Sequence, residues 1–351
     1  MLRANHSLAC VSYLLSFTII GGCDCKKPQI SPTQVGNWIQ SAEIGSYPRS
    51  NAVSFTIGDT AYVGTGYNAT VNLGRVNDRL NDFWRFSTDS GWKQVQSIPG
   101  PPRSHGVAFG LGNYGYVGTG YDGLKMYNDF YQYDPGANQW TLKASFPGGP
   151  RYDAVGFAVQ GKGYIGTGFN GLWLNDFYQY DPQTGHWVPT IGTSGNLSKR
   201  RGAMAFVYKE KAYLVGGAGS GSLTKDFWSF DPSLGTPWER LGDIINDNTS
   251  AKDDAYSDIQ RMNAVAFVNG DSAYLTLGQN VSPLPTTWVY DFGHDQWARR
   301  TPYHRDARAG AVAFTIKGRS FVGTGSPGAN STVTFDDFDE FLPYQLYNVN
   351  D

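Results

Sequence analysis

Short apolar and aromatic runs alternate along the chain with clusters of Gly, Asn, Asp and Pro, and the whole pattern repeats about every 50 residues. The clearest copy spans residues 103–140, and residues 151–187 repeat it almost position for position. Within a copy, two apolar runs flank a tight turn, an aromatic run follows, and a tryptophan opens the last run. This order predicts a module of four short antiparallel strands joined by turns.

Three marks identify the module along the chain. An arginine opens the first strand, a Gly cluster ends the second, and an aromatic-Asp stretch such as NDFYQY forms the third. A sheet of this size cannot bury both of its faces alone, so modules of this length are expected to stack around a central axis. Six modules are predicted from six opening arginines, which lie 47 to 60 residues apart, at Arg49, Arg103, Arg151, Arg201, Arg261 and Arg308.

The spacing of the tryptophans predicts how the ring of modules closes. Trp38 precedes Arg49 by 11 residues, which is the spacing also found in three later modules. No module precedes Trp38, and the last module has no tryptophan after Phe341. Trp38 is therefore predicted to supply the outer strand of the last blade, which closes the ring without an unpaired edge.

The combination of a Gly doublet, an aromatic-Asp strand and a spaced tryptophan over residues 38–343 resembles the repeats of Kelch propellers. The predicted fold class is all-β, a six-bladed Kelch-type β-propeller closed by the N-terminal strand, with residues 344–351 as a C-terminal tail. Composition agrees, because 44 Gly, 22 Tyr and 20 Phe among 351 residues are typical of a turn-rich all-β protein. A net charge of −2 gives no reason to expect nucleic acid as a partner.

The N-terminus predicts export. Residues 8–20 are mostly apolar but too few to span a bilayer, and residues 20–23 read Ile-Gly-Gly-Cys. This stretch resembles the lipobox of bacterial lipoproteins, which implies a signal peptide at 1–22, lipid attachment at Cys23 and a tether over 23–37. The expected location is the cell envelope, lipid-anchored, with the choice of membrane (the outer membrane among them) and of its side left open, and the membrane is then a partner through the lipid. A soluble secreted protein is the alternative.

A ligand site is predicted at one mouth of the central channel. Tight turns join the first and second strands of each module, so the starts of the first strands and the loops after the second strands share the opposite face. Several guanidinium groups meeting there would hold a carboxylate, and aromatic rings beside amides are typical of a sugar site. Alternatively, each arginine is structural and ties its loop to a carbonyl of the next blade. The predicted ligand-binding residues are Arg49, Asn51, Arg103, Arg151, Arg201, Arg261, Asn263 and Arg308 from the strand openings, and Tyr67, Asn68, Tyr121, Asp122, Phe169 and Asn170 from the loops.

Three functions fit such a site. The sequence favours a membrane-anchored, non-catalytic binding or scaffold module for an anionic sugar or a protein partner. The second is a sugar mutarotase resembling the Kelch-type sialic acid epimerases. The third, a copper radical oxidase like galactose oxidase, requires a cysteine cross-linked to a tyrosine. It is disfavoured because all three cysteines, Cys10, Cys23 and Cys25, precede the folded body.

A mutarotase requires a general acid and a general base beside the ring oxygen and the anomeric hydroxyl. His105 and Asp153 are the only titratable pair at the first-strand openings, and they would be the catalytic residues of such an enzyme. The four glutamates fall outside the predicted mouth, which weakens the enzyme interpretation. No cofactor or metal site is predicted, because the aspartates of residues 241–260 do not match the spacing of a calcium loop.

Overall fold

The N-terminal strand of the computed structural model, β1 (Val35–Gln40), follows a short 3₁₀ helix, Pro32–Gln34. The predicted signal peptide, the predicted lipidation at Cys23 and most of the predicted tether lie outside the described residues. In the part of the chain that is described, no helix is both long and apolar enough to cross a membrane. The structure describes residues 31–69, 78–190, 197–245, 258–328 and 331–351.

Six four-stranded antiparallel sheets form the blades of a propeller across the described ranges. Blades 1 to 5 each contain four consecutive strands, whereas blade 6 contains the last three strands and β1. The prediction of a six-bladed, all-β propeller closed by the N-terminal strand is confirmed. The strands are β2 (Val53–Ile57), β3 (Thr60–Gly64), β4 (Phe83–Ser87) and β5 (Gly91–Val95) in blade 1; β6 (Val107–Leu111), β7 (Tyr114–Gly118), β8 (Phe130–Asp134) and β9 (Gln139–Lys143) in blade 2; β10 (Val155–Val159), β11 (Lys162–Gly166), β12 (Phe177–Asp181) and β13 (His186–Pro189) in blade 3; β14 (Met204–Tyr208), β15 (Lys211–Val215), β16 (Trp228–Phe230) and β17 (Trp238–Arg240) in blade 4; β18 (Val265–Asn269), β19 (Ser272–Thr276), β20 (Thr287–Asp291) and β21 (Gln296–Arg300) in blade 5; and β22 (Val312–Ile316), β23 (Arg319–Gly323) and β24 (Phe338–Leu346) in blade 6.

Blade 6 closes the ring as the tryptophan spacing predicted. Strand β1 pairs antiparallel with β24, and Trp38 lies opposite Phe341. The Trp38 side chain is fully buried and packs edge-on against Tyr303, with 5.0 Å between ring centroids. Because β1 begins at Val35 and β24 runs to Leu346, the pairing extends a few residues beyond the range 38–343.

Two-residue turns join the first and second strands of every blade. Five of them lie where the sequence predicted, and the turn of blade 3 lies one residue earlier, because β10 ends at Val159 and β11 begins at Lys162. Its two residues, Gln160 and Gly161, have φ of 48° and 73°, the backbone of a turn that matches the twist of the flanking strands. The starts of the first strands therefore share the opposite face.

Aromatic side chains between neighbouring blades form the core. Phe83 of β4 packs against Trp140 of blade 2 at 4.9 Å, and Phe130 of β8 packs in the same way against Trp187 of blade 3 at 5.0 Å. Such pairs contribute about 0.5–1.5 kcal/mol beyond the area that they bury. Gly64 at the end of β3 permits this packing, because a Cβ there would overlap the Phe83 ring. The repeated glycine and tryptophan thus fasten each blade to its neighbour.

The first strands line the central channel with small side chains, and the described lining contains no titratable residue. Acid-base chemistry is therefore excluded from the described channel wall, and the ends of the channel are the places to search for a site. The second residues of the first strands, which are all small, are Ser54, Ala108, Gly156, Ala205, Ala266 and Ala313.

Candidate functional site

A closed ring of six backbone hydrogen bonds encircles one end of the channel. One residue of each blade takes part, and its N–H donates to the carbonyl of the ring residue in the preceding blade, with N···O distances of 2.7–3.1 Å. All six residues have φ between 51° and 66°, a left-handed conformation that Gly, Asn, Asp and His adopt more readily than other residues. The ring residues are Asn51, His105, Asp153, Gly202, Asn263 and Gly310.

The ring explains why the residue type at this position varies among so few alternatives. The two asparagines lie over the two glycines, since a Cβ on Gly310 would overlap Asn51 Oδ1 and a Cβ on Gly202 would overlap Asn263 Oδ1. Glycine is thus needed at these two positions for two reasons: it adopts the positive φ easily, and it leaves room for the asparagine side chains. The carboxamides cover the ring and present polar groups at the mouth.

His105 and Asp153 occupy neighbouring positions in the ring and contact each other. His105 Nδ1 lies 2.6 Å from Asp153 Oδ1, and the two side chains are 23% and 7% exposed. Because the carboxylate engages Nδ1, Nε2 is the nitrogen that this arrangement leaves for a ligand. The Tyr152 ring packs against the imidazole with 5.8 Å between centroids. The structure therefore brings together the two residues that the sequence predicted as an acid-base pair.

A cavity of about 270 Å³ opens onto the ring. Small-molecule sites start at roughly this size. The cavity has one basic side chain, Arg79, and one imidazole, His105, among its described lining residues; the others are neutral. The lining consists of Ser50, Asn51, Tyr67, Arg79, His105, Asn263, Gln279, Ala309, Ser326, Gly328 and Ser331.

Arg79 lies between two aromatic rings. Its guanidinium carbon is 4.8 Å from the centroid of Tyr67 and 5.6 Å from that of Tyr121, and Nε lies 3.5 Å from Ser104 Oγ. Burial lowers the pKa of Arg79, although the two tyrosines and Asp122 favour its charged form. The side chain remains cationic at neutral pH because an arginine starts from a pKa above 12. Arg79 was not among the predicted site residues, because it lies outside the repeated arginine series.

The aromatic wall continues across blades 2 to 4. Tyr121 stacks on Tyr152 at 5.3 Å, and Arg201 donates from Nη1 to the Tyr152 hydroxyl at 2.9 Å. The Arg201 guanidinium also lies 5.2 Å from the centroid of Phe169. Tyr67, Tyr121, Phe169 and Arg201 thus lie on this face of the propeller, where the sequence predicted them.

Five of the predicted arginines, by contrast, are not at the mouth. Their side chains are fully buried or 1% exposed, and each Nη1 donates to a main-chain carbonyl 16 residues later in its own blade. The expectation that they ring the mouth is corrected here, and so is the alternative that they reach the next blade. Each buried guanidinium donates hydrogen bonds to carbonyl groups in the loops of its own blade, and a nearby carboxylate or hydroxyl compensates the cost of burying its charge. These residues are Arg49, Arg103, Arg151, Arg261 and Arg308.

The fourth member of this buried series is Arg200, whereas the sequence pattern had assigned its neighbour Arg201 to that position. Arg200 is fully buried and donates from Nη1 to the Gly216 carbonyl, again 16 residues later, at 3.1 Å. Four of the other arginines and Arg200 form ion pairs with the Asp that opens the third strand. The pairs are Arg49–Asp82, Arg103–Asp129, Arg151–Asp176, Arg200–Asp226 and Arg308–Asp337.

Blade 5 departs from this pattern because Thr286 replaces the aspartate. Arg261 Nη2 donates to Thr286 Oγ1 at 2.7 Å and lies 3.7 Å from Asp258 Oδ1. Burial lowers the pKa of Arg261 to about 10, against the opposing effect of Asp258. Arg261 therefore stays charged at neutral pH, but its charge is stabilised less than that of the arginines paired with an aspartate.

The remaining predicted loop residues shape the loops themselves. Asn68 is buried and donates to the Pro48 carbonyl. Asp122 accepts hydrogen bonds from Leu124 N at 2.7 Å and Tyr127 OH at 2.5 Å. Burial and this bond raise the pKa of Tyr127 to about 12. The exposed Asn170 accepts from the Leu172 N–H through Oδ1 at 3.2 Å. These side chains fix loop conformation in the structure.

The mouth thus combines an imidazole–carboxylate pair, a cation and several neutral amides and hydroxyls. Such a set binds a polar anion and moves a proton on it. Within the described ranges, no group of three or more His, Cys, Asp and Glu side chains is placed to hold a metal ion.

Comparisons with known proteins place the fold and suggest a chemistry. No family model matches the chain. It is 32% identical over 111 residues to an N-acetylneuraminate epimerase of Pasteurella multocida, which covers 29% of this chain and 27% of the relative. It is 38% identical over 114 residues to an N-acetylneuraminate epimerase of Yersinia enterocolitica, which covers 28% of each protein. These matches span little more than a quarter of either relative.

A solved structure, that of YjhT, superposes with a TM-score of 0.68 and covers 84% of this chain and 95% of that chain. The two sequences are 16% identical over the superposition. At this level of identity the likeness supports the propeller fold alone.

Proposed function

We propose that this six-bladed Kelch-type propeller, which is similar to N-acetylneuraminate epimerases, binds an acidic sugar at its mouth and interconverts its anomers. One observation carries the proposal: the His105–Asp153 pair, at 2.6 Å, stands at the same cavity as the cationic Arg79. A site that only bound an anion would need the cation but not a proton-transfer group beside it. Of the two functions that the sequence left open, the relatives favour the mutarotase over the non-catalytic scaffold.

Recognition of the substrate would rest on charge. A sugar carboxylate carries its negative charge at neutral pH, and a guanidinium binds it through two parallel hydrogen bonds. Arg79 is half-buried and held between Tyr67 and Tyr121, so little conformational freedom is lost when it binds. The amides of Asn51, Asn263 and Gln279 would meet the sugar hydroxyls.

Proton transfer would rest on His105. In the ring-opening step, neutral Nε2 takes the proton of the anomeric hydroxyl while the bond between the anomeric carbon and the ring oxygen breaks. The imidazolium passes that proton to the ring oxygen, which becomes a hydroxyl as the anomeric carbon becomes a carbonyl. When the ring closes on the other face, Nε2 takes the proton of this hydroxyl and delivers it to the carbonyl oxygen. Asp153 stabilises the imidazolium through Nδ1 and fixes which nitrogen faces the sugar. The reaction needs no cofactor because no electrons are transferred.

The experiment separates binding from catalysis in one set of variants. His105→Ala should retain affinity for N-acetylneuraminate but lose accelerated anomer exchange, followed by NMR. Arg79→Ala should weaken binding about tenfold or more, since a hydrogen bond to a charged group contributes about 1.5–3 kcal/mol. The matched controls are His186→Ala and Arg85→Ala, because both side chains are exposed on strands away from the mouth. They should leave both properties unchanged.

Two outcomes would contradict the proposed mutarotase activity. Wild-type protein that binds the sugar without accelerating exchange is a binding module, which the sequence had favoured. Wild-type protein that shows no heat of binding with acidic or neutral sugars has a mouth built for another partner, and the proposed activity is then refuted.

A further inference from the structure

A second and larger cavity lies on blade 1, and its described lining residues are different from those of the mouth cavity. Its volume is about 600 Å³, which is in the range of sites that hold small molecules. One wall is the segment 45–47 that leads into blade 1, and the other is formed by residues 80–82, Trp84 of strand β4, Gln94 of β5 and Ser97. We call this cavity the blade 1 cleft; the side chains used below are Tyr47, Asp82, Trp84, Gln94 and Ser97.

The indole of Trp84 is held in place before any ligand arrives. Its Nε1 donates to Asp82 Oδ2 at 2.7 Å. Asp82 is in turn held by the fully buried Arg49, whose two terminal nitrogens donate to its two oxygens at 2.9 and 2.8 Å. Ser46 Oγ adds a further bond to the same carboxylate at 2.9 Å. An aromatic platform fixed in this way costs little entropy on binding.

Blade 1 differs from blades 2, 4 and 5 in leaving this ring partly accessible. The equivalent side chains of blades 2, 4 and 5 are 9% exposed or less: Tyr131, Trp228 and Trp288. The equivalent Tyr178 of blade 3 is half-buried and has the Phe146 ring edge-on at 5.3 Å. Trp84 is half-buried: part of its side chain packs against the buried cluster that contains Ile44, Phe86 and Phe338, and the rest lines the cleft.

Polar groups surround the platform without a net charge. Gln94 lies directly opposite Trp84 in the β4–β5 ladder, so both side chains point to the same face, and Gln94 is exposed. Ser97 lines the same side, and the phenol ring of Tyr47, 45% exposed, lies on the other wall. The Asp82 carboxylate is compensated by Arg49. The cleft therefore offers an aromatic face, an amide and hydroxyls, and no unpaired charge among the described residues that line it.

We propose that the blade 1 cleft is a second carbohydrate site, which takes the neutral pyranose ring of a hexose or an N-acetylhexosamine. A pyranose has one flat face of C–H groups and a rim of hydroxyls. The face would pack on Trp84, and the rim would meet Gln94, Ser97 and the Tyr47 hydroxyl. The cleft and the mouth thus select sugars of different charge, and the inference does not depend on the activity proposed for the mouth.

The test uses the full chain and two uncharged probes, methyl β-galactoside and N-acetylglucosamine. Titration of the protein labelled with ¹⁵N at its tryptophan indoles should shift the Trp84 signal for at least one probe. Gln94→Ala and Tyr47→Ala, both at exposed positions, should weaken that binding roughly three- to tenfold, as expected for loss of a neutral hydrogen bond or a ring contact. Trp84→Phe, which keeps a ring but loses the indole bond to Asp82, should weaken it as well.

Two controls locate the effect. Tyr344→Ala removes a phenol that is 75% exposed on another blade, and it should bind the probe as wild type does. Arg79→Ala alters the mouth and should also leave neutral-sugar binding unchanged. The proposal is overturned if neither probe shifts the Trp84 signal, or if binding is lost in Arg79→Ala and kept in Gln94→Ala.

Discussion

Adjacent arginines in blade 4 should lose very different amounts of stability on the same substitution. Arg200 is fully buried and Asp226, its partner, is 2% exposed. Arg200 also donates to the Ser198 carbonyl at 2.9 Å and to the Gly216 carbonyl at 3.1 Å. Arg201 is half-buried on the mouth face and has the Tyr152 hydroxyl as its hydrogen-bond partner. We compare Arg200→Met with Arg201→Met, which remove the same charge one residue apart.

The magnitude follows from what each substitution leaves behind. Arg200→Met leaves a buried carboxylate without its cation, which costs about 3–5 kcal/mol. For a chain of 351 residues the unfolding entropy is roughly 0.7 kcal/mol per kelvin, so the melting temperature should fall by about 4–7 °C. Arg201→Met loses one hydrogen bond and two ring contacts at a partly solvated site, which costs about 1 kcal/mol and lowers the melting temperature by about 1–2 °C.

Thermal unfolding of the two variants, followed by circular dichroism, checks the comparison. Replacing both members of the pair, Arg200→Met with Asp226→Leu, should recover part of the stability because no uncompensated charge remains. If Arg201→Met destabilises the protein as much as Arg200→Met does, Arg200 is not the structural arginine of blade 4. If the double variant is no more stable than Arg200→Met, the ion pair is not the source of the loss.

Three further predictions test other parts of the molecule. Gly310→Ala should disrupt the ring at the mouth, because its Cβ would overlap Asn51 Oδ1 and φ is 66° there. We expect the free energy of unfolding, measured in urea, to fall by about 1–3 kcal/mol. The control Gly318→Ala, at a positive φ with open space around it, should cost only its backbone strain. Burial opposes ionisation of Asp226, but the charge and hydrogen bond of Arg200 together with hydrogen bonds from Trp228 and the Ser198 N–H outweigh it, and the pKa of Asp226 is lowered. The stability that this carboxylate contributes is thus present above its unfolded pKa of about 3.9 and is lost as the pH falls through the folded value, so Asp226→Asn should be less stable than wild type at pH 7 and approach it below pH 4. Finally, Cys23→Ser should release the protein from the membrane fraction of cells without changing its melting temperature, and a variant that stays with the membrane would contradict the proposed lipid anchor.

The architecture was predictable because its signals are repeated. The equal spacing of Trp38 and three later tryptophans to their arginines predicted the closing strand, and tight turns, most of them with a glycine, predicted the hairpins. Each signal recurs in several modules, so a single substitution does not obscure it. Strand pairing in blade 6 followed directly, with Trp38 opposite Phe341.

The role of the arginines was not predictable from their spacing alone, because one arginine per blade fits either a ligand ring or a structural series. The sequence nevertheless contained a further signal, since the Asp of the NDF stretch recurs wherever an arginine is ion-paired. Blade 5, which has Thr286 in place of that Asp, pairs Arg261 differently. Because residues 200 and 201 are both arginine, the sequence did not show which of them belongs to the buried series. The hydrogen bond from Arg200 to a carbonyl 16 residues later identifies it as Arg200.

The site itself was predicted in part. His105 and Asp153 stood out as titratable residues at the strand openings, and the structure joins them. Arg79 carries no repeat signal, and only the fold brings its guanidinium between Tyr67 and Tyr121. The backbone ring could not be anticipated either, because hydrogen bonds between blades depend on how the sheets stack.

The rate of anomer exchange tests the central proposal most directly. Exchange spectroscopy on N-acetylneuraminate measures the rate between the two anomers at a fixed enzyme concentration, for wild type and for His105→Ala. Since general acid-base catalysis contributes about 100- to 10,000-fold, we predict a clear acceleration by wild type and its loss by that order in His105→Ala, with His186→Ala indistinguishable from wild type. Equal rates for wild type, His105→Ala and buffer alone would contradict the account.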